Sequence, residues 1–179
     1  MSISTTLYRF QIELADIERG IYETLNFRVA QHPSEHMPYL LTRVIAFVLN
    51  TQEGLAFSST GLHDPDAPAI SIPDAYGGNQ LVIEIGSPGA KRLHKATKTS
   101  KQVKVYNYKN PDLLMRELRE EKIHRVEEIK FFSLAPEFLE KLASLIKRDN
   151  RWSVLFDDGR ITVQVGEESI PGELRTLTY

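Results

Sequence analysis

The chain has 179 residues, 41% of them hydrophobic and 26% charged, a length and balance that suit one globular domain with a buried core. It contains no cysteine, which excludes a disulfide framework, a disulfide-linked partner and a thiolate zinc site. A net charge of −2 lacks the overall basic excess of many nucleic-acid-binding modules, so any basic surface has to be local.

Residues 1–10 lack a basic stretch followed by an apolar run, and no window reaches the roughly 18 uninterrupted apolar residues of a spanning helix. Export and membrane association are therefore not expected, and a cytoplasmic protein is. There is no repeat at 20 to 50 residue spacing, no low-complexity tract and no linker, so residues 1–179 are expected to form a single domain. Oligomeric state leaves no trace in the sequence.

In chain order, Leu7, Phe10, Ile12 and Leu14 recur at mostly two-residue spacing, as do Leu25, Phe27 and Val29 after a turn-like stretch from Asp16 to Gly20. An opening antiparallel hairpin follows from that period. The apolar positions between Leu40 and Leu49 predict a helix over 34–51 with Ser34 as its N-cap. Leu55 to Ser58 reads as a short strand, whereas the Pro- and Gly-punctuated stretch from Gly61 to Gly78 has no assignable period.

Leu81-Val82-Ile83-Glu84-Ile85 has the pattern of a strand buried on both faces. A basic helix is expected from 90 to 101, then a strand from Val103 to Tyr108, which together make a βαβ unit. An amphipathic helix starts at Asn110-Pro111-Asp112 and runs to about Lys122, and Ile129 to Phe132 reads as a strand. Pro136 to Lys147 is a helix by the spacing of Phe138, Leu139, Leu142, Leu145 and Ile146. Trp152–Phe156 and Ile161–Val165 form a closing hairpin around Asp157-Asp158-Gly159-Arg160. Interleaved strands and helices place the chain in the α/β class with a mixed sheet flanked by helices.

Three acids stand out by context: Glu35 at a helix start, Asp66 in His63-Asp64-Pro65-Asp66-Ala67-Pro68, and Glu84 within the apolar strand. Glutamate at a helix start also complements the helix dipole, worth about 0.3–1 kcal/mol, and aspartate is a routine turn residue. Glu84 is different, because an unpaired carboxylate in an apolar layer costs several kcal/mol unless a cation or donor compensates. An ion pair would satisfy it. So would a divalent metal: two or three carboxylates meeting at strand ends suit Mg²⁺ or Mn²⁺, which could activate water for phosphodiester hydrolysis.

Between Ile85 and Pro111 there is no acid, while Lys91, Arg92, Lys95, Lys98, Lys101, Lys104 and Lys109 are all basic. On a helix, Lys91, Lys95 and Lys98 share one face at i, i+4 and i+7. Such a strip is either a solvated lysine face or a track for DNA or RNA phosphates. Lys95, about one and a half turns into the helix, could reach back toward Glu84. Walker, dinucleotide-binding, nucleophile-elbow and H-E-x-x-H motifs are absent. His32, His36 and His63 invite a metal reading, but histidines in loops and at helix starts are mostly polar surface residues.

Several segments carry a resemblance: Ala30-Gln31-His32-Pro33-Ser34-Glu35, Gly61-Leu62 with Asp66-Ala67-Pro68, Ile83-Glu84-Ile85-Gly86-Ser87-Pro88, Arg92-Leu93-His94-Lys95-Ala96 and Val105-Tyr106-Asn107-Tyr108. Together they look like the YaeQ family along nearly the whole chain. That family is similar in fold to PD-(D/E)xK metal-dependent nucleases, so the resemblance implies a restriction-endonuclease-like core with β-hairpins at both ends.

It further implies that Glu35, Asp66, Glu84 and Lys95 form a catalytic set. In that set Asp66 and Glu84 are metal ligands for Mg²⁺ or Mn²⁺, Glu35 is an auxiliary ligand or water orienter, and Lys95 is a transition-state stabiliser. Lys91, Arg92, Lys95, Lys98 and Lys101 would contact nucleic acid. The chain departs from the pattern twice. Gly86 stands where the motif ends in lysine, with Lys95 the candidate replacement, and Ala67 stands where the family reads Asp-Glu-Pro. The alternatives are a nucleic-acid-binding or transcription-associated module that has lost turnover, and a protein-interaction domain.

Overall fold

The computed structural model describes residues 4–179. The chain opens with the expected hairpin, β1 (Thr6–Asp16) and β2 (Ile21–Gln31), in register from Thr6 opposite Gln31 to Asp16 opposite Ile21. Phe10, Ile12 and Leu14 face inward while Arg9, Gln11 and Glu13 face out, as a two-residue period demands. Leu7, expected to share the inward face, lies on the exposed one.

Helix α1 (Met37–Leu49) begins three residues later than predicted. Pro38 in its first turn favours a start there, since proline suits a position whose N–H has no helical partner. Ser34 is therefore not its N-cap; the Ser34 hydroxyl instead lies 2.6 Å from His32 Nδ1. Glu35 precedes the helix rather than sitting on it.

After the two-residue strand β3 (Ala56–Phe57), the stretch without a readable period contains a strand, β4 (Ile70–Pro73). It pairs antiparallel with β5 (Asn79–Ile85). The βαβ unit is present: β5, α2 (Ala90–Thr99) and β6 (Ser100–Asn107), with β5 and β6 parallel. The helix closes two residues early, its last turn drawn in by the Thr97 and Thr99 hydroxyls donating to the carbonyls of His94 and Lys95. Lys101 consequently lies on a strand and pairs with Asp74 at 2.9 Å, off the helix that was expected to carry it.

Helix α3 (Pro111–Arg119) is capped by the Asn110 side chain, which accepts from Leu113 N at 3.0 Å. It ends three residues short of the prediction, before Glu120 and Glu121, acids that a helix C-terminus disfavours. Strand β7 (Lys130–Leu134) and helix α4 (Pro136–Leu145) follow, the helix ending two residues before the predicted Lys147. The Asn150 side chain bonds the N–H and the carbonyl of Lys147 there and turns the chain into a strand. β8 (Asp149–Asp157) and β9 (Arg160–Val165) form the expected hairpin, but β10 (Glu168–Leu177) continues beyond it. Pro171 and Gly172 interrupt the alternation that would have announced β10.

The ten strands among the described residues form one mixed sheet in the order β2-β1-β8-β9-β10-β7-β6-β5-β4-β3. The sheet curls until its edges nearly meet: Phe27 on β2 and Phe57 on β3 have ring centroids 5.8 Å apart, with Phe47 of α1 against both. Helix α1 lies inside the curl, buried along most of its length, with α4 beside it. Helices α2 and α3 cover the opposite face of β5 and β6 through Leu93, Leu114, Met115 and Leu118. No helix among the described residues is long and apolar enough to cross a membrane.

Candidate functional site

Two buried carboxylates, each paired with an arginine eight residues later, flank a cavity between α1 and the end of β5. Glu35, in the loop entering α1, receives Arg43 Nε at 2.9 Å on one oxygen and Nη2 at 2.8 Å on the other. The His32 N–H donates to the same carboxylate at 3.1 Å, and Arg43 also donates to the carbonyl of Ala30. The arginine is fixed further by the rings of Tyr39 and Phe57, 5.9 and 5.6 Å from its Cζ. Burial still holds Glu35 above the usual carboxylate range, against the lowering by Arg43.

Glu84 comes from β5, where the buried strand leaves its carboxylate facing α2. Arg92 Nε donates to its Oε2 at 2.8 Å. The same guanidinium donates through Nη1 to the carbonyl of Pro65 and through Nη2 to that of Ala67, the latter at 2.7 Å. Arg92 thus clamps the 65–67 backbone to β5, and burial raises the Glu84 pKa despite it. Of the residues expected to line an outer nucleic-acid track, Arg92 is the one turned inward.

Tyr39 stands between the two pairs. Burial pushes its hydroxyl up to about 12, and the charges of Arg43, Glu35, Glu84 and Arg92 all act on it. Together with Ser58, Asp64, Ser87 and both arginines it lines a cavity of about 280 Å³. A larger cleft of about 820 Å³ lies along α2, bordered by Lys91, His94, Lys95 and Lys98 and by Asp66 across from them. Glu84 and Arg92 line both spaces and form the partition between them.

Asp66 shares the larger cleft with Glu84, but its side chain is 81% exposed and its nearest cation is Lys95 Nζ at 3.7 Å. Lys95 therefore pairs with Asp66 and does not reach Glu84. Each of the three singled-out acids has its own base: Glu35 with Arg43, Asp66 with Lys95, Glu84 with Arg92. Among the described residues no three histidine, aspartate or glutamate side chains come together to hold a metal ion. Gly86, at the motif lysine's position, has φ +91° and leaves the strand; its carbonyl accepts from Asn107 Nδ2 at 3.0 Å.

A family model described as YaeQ protein matches residues 1–173. The chain belongs to the YaeQ family. Over 108 residues it is 29% identical to the Uncharacterized protein YaeQ of Escherichia coli (strain K12), a stretch that covers 60% of this chain and 59% of that protein. The YaeQ protein of Salmonella typhi matches to the same extent, so the chain spans under two thirds of the length of these relatives. The crystal structure of YaeQ from Xanthomonas axonopodis pv. citri superposes with a TM-score of 0.88 at 27% identity, covering 98% of this chain and all of that one. YaeQ from Pseudomonas syringae gives 0.88 at 26%, over 98% and 97%. The mixed α/β architecture with its curled ten-strand sheet and four helices is the YaeQ fold.

Arg43 and Tyr39 were not singled out in this YaeQ chain by motif or spacing. A signal existed for Arg43: it is a lone charge in the apolar run Leu40 to Leu49, the same anomaly that marks Glu84 in its strand.

Proposed function

We propose that the chain binds the sugar-phosphate backbone of DNA or RNA along α2, on a core of the PD-(D/E)xK, restriction-endonuclease-like type, without hydrolysing it. The observation that carries this reading is the α2 cleft itself. Its rim is set by Lys91, Lys95 and Lys98, exposed on one helical face in a stretch of sequence free of acids. Lysines with mobile stems suit phosphate contacts that need no base readout.

The superfamily assignment is supported by the order of parts: an acid entering the first long helix, then a loop aspartate, then an acid on the strand that opens a βαβ unit. Binding in place of turnover is supported by the ion pairs. Mg²⁺ and Mn²⁺ demand several oxygens around one point, whereas the oxygens nearest Glu84 are taken by the Arg92 guanidinium and the Asp66 carboxylate stands in solvent beside Lys95. The residues present do not fit a resident Mg²⁺ or Mn²⁺. The same reading treats residues 1–179 as one domain, because a single sheet takes strands from both ends of the chain, and places it in the cytoplasm.

Fluorescence anisotropy of a labelled duplex or single-stranded oligonucleotide, titrated at several salt concentrations, tests it. Affinity is expected to fall with salt, and Lys91→Ala with Lys98→Ala should reduce the slope of log K against log salt by about 2 on duplex DNA. Affinity and slope unchanged in that variant would exclude this cleft. Cleavage of the oligonucleotide in Mn²⁺, abolished by Glu84→Gln, would replace binding with turnover.

A further inference from the structure

Away from the α2 cleft, strand β6 turns an amine toward the interior of the curled sheet. Tyr106 on β6 and Phe132 on β7 are register partners whose rings meet on the inner face, centroids 5.0 Å apart. Two residues back along the same strands, Lys104 and Lys130 are register partners too, so their side chains share that face. Lys104 is partly buried, and its Nζ donates to Asn50 Oδ1 at 2.6 Å, at the C-terminal cap of α1. The Asn50 amide is fixed in turn, because its Nδ2 donates to the carbonyl of Ala46 and to the Tyr106 hydroxyl.

A second cation enters from the β1–β2 turn, where Arg19 donates to the carbonyl of Thr51, beside Asn50, and pairs with Asp16 at 2.6 Å. On β5 the register neighbour of Lys104 is Ile83, apolar and fully buried. Among the described residues no carboxylate lies within ion-pair distance of Lys104 or Lys130. Burial, and then the charges of Lys130 and Arg19, bring the Lys104 amine down to about 8, so free base is present near neutral pH. Tyr106, held up at about 12, stays neutral beside it.

We propose that Lys104 is a modification site for carbon dioxide, which it captures and holds as a carbamate beside Lys130 and Arg19. The Nζ lone pair bonds to the carbon of CO₂, one carbon–oxygen π pair moves onto oxygen, and Nζ releases one proton to solvent. The surroundings that disfavour the ammonium favour this product, because the carbamate brings the negative charge that the cluster lacks and keeps one N–H for Asn50 Oδ1. Acylation to a neutral amide would bring no such charge. Carbon dioxide is small and uncharged, so it reaches a partly buried amine without a shaped pocket.

The test is carbamate trapping on the full chain, equilibrated with isotopically labelled bicarbonate and its dissolved CO₂ near pH 8, alkylated with triethyloxonium and mapped by peptide mass spectrometry. Ethyl carbamate on Lys104 should exceed that on the exposed Lys91, Lys95 and Lys98 by about tenfold or more. Equal labelling would overturn the proposal. In the urea-unfolded chain the preference should vanish, and a preference that survives unfolding would overturn the proposal as well. Lys130 is exposed, so Lys130→Gln is a mild change that should lower Lys104 labelling by about threefold or more. Undiminished labelling in a folded Lys130→Gln chain would also overturn it; should that variant fail to fold, the comparison of native with unfolded chain decides.

Discussion

Arg92 Nε lies 2.8 Å from Glu84 Oε2, so the carboxylate on the buried strand is held by a cation from the helix that follows it, eight residues on. The same separation joins Glu35 to Arg43, with the acid again before a helix and the base within it. One local device, an acid delivered by strand or loop and an arginine returned by the next helix, is used twice around one cavity.

The Glu35–Arg43 pair is the more deeply buried of the two, and its loss should be costly. Arg43→Met leaves the Glu35 carboxylate uncompensated and is expected to reduce the unfolding free energy by about 3–5 kcal/mol in urea titration. Replacing both partners, Glu35→Leu with Arg43→Met, should recover most of that loss, since no buried charge remains. A single variant as stable as the native chain would show that the pair contributes nothing to the fold.

Restoring the motif lysine by Gly86→Lys should not create activity. At φ +91° a lysine is strained, and the cost is expected at about 1–3 kcal/mol, visible as a lowered melting temperature. A Gly86→Lys chain of native stability that cleaves an oligonucleotide would contradict this account of the site.

These positions show what could be read in advance. The βαβ unit and the opening hairpin were legible because Leu81 to Ile85 is a short apolar run and Phe10 to Leu14 alternates, patterns that the sheet uses directly. β4 and β10 were not, since Pro73 ends one and Pro171-Gly172 splits the other, so neither carries a readable period although each pairs with its neighbour in the chain, β4 with β5 and β10 with β9. In the site, the demand of Glu84 for a partner could be read from its apolar context. The identity of that partner could not, because helical spacing puts Lys95 and Arg92 at similar reach of β5. The deciding factor is the 65–67 backbone, whose two carbonyls suit a forked guanidinium and not an ammonium.

A separate cluster gives a pH signature. Burial, with the charges of Lys130 and Arg19, lowers Lys104 from 10.5 to about 8, while its Nζ donates to Asn50 Oδ1 at 2.6 Å. The folded state favours the neutral amine, so this contribution is full above pH 10.5 and is lost as pH falls through 8. Unfolding free energy should therefore rise as pH is raised from about 8 toward 10, and Lys104→Met should flatten that rise. A native profile that falls over the same interval would refute the assignment. Tyr39 and Tyr106, both pushed up to about 12, oppose the rise only above pH 10, where their unfolded forms ionise.

The most direct measurement of the central claim is a map of amide shift changes on adding a short oligonucleotide to the isotopically labelled chain. The account predicts changes concentrated on α2 from Lys91 to Lys98 and on the 64–67 loop across the cleft, diminishing as salt is added. Changes confined to another surface, such as the exposed face of the opening hairpin around Arg9 and Arg28, or none at all at low salt, would contradict it.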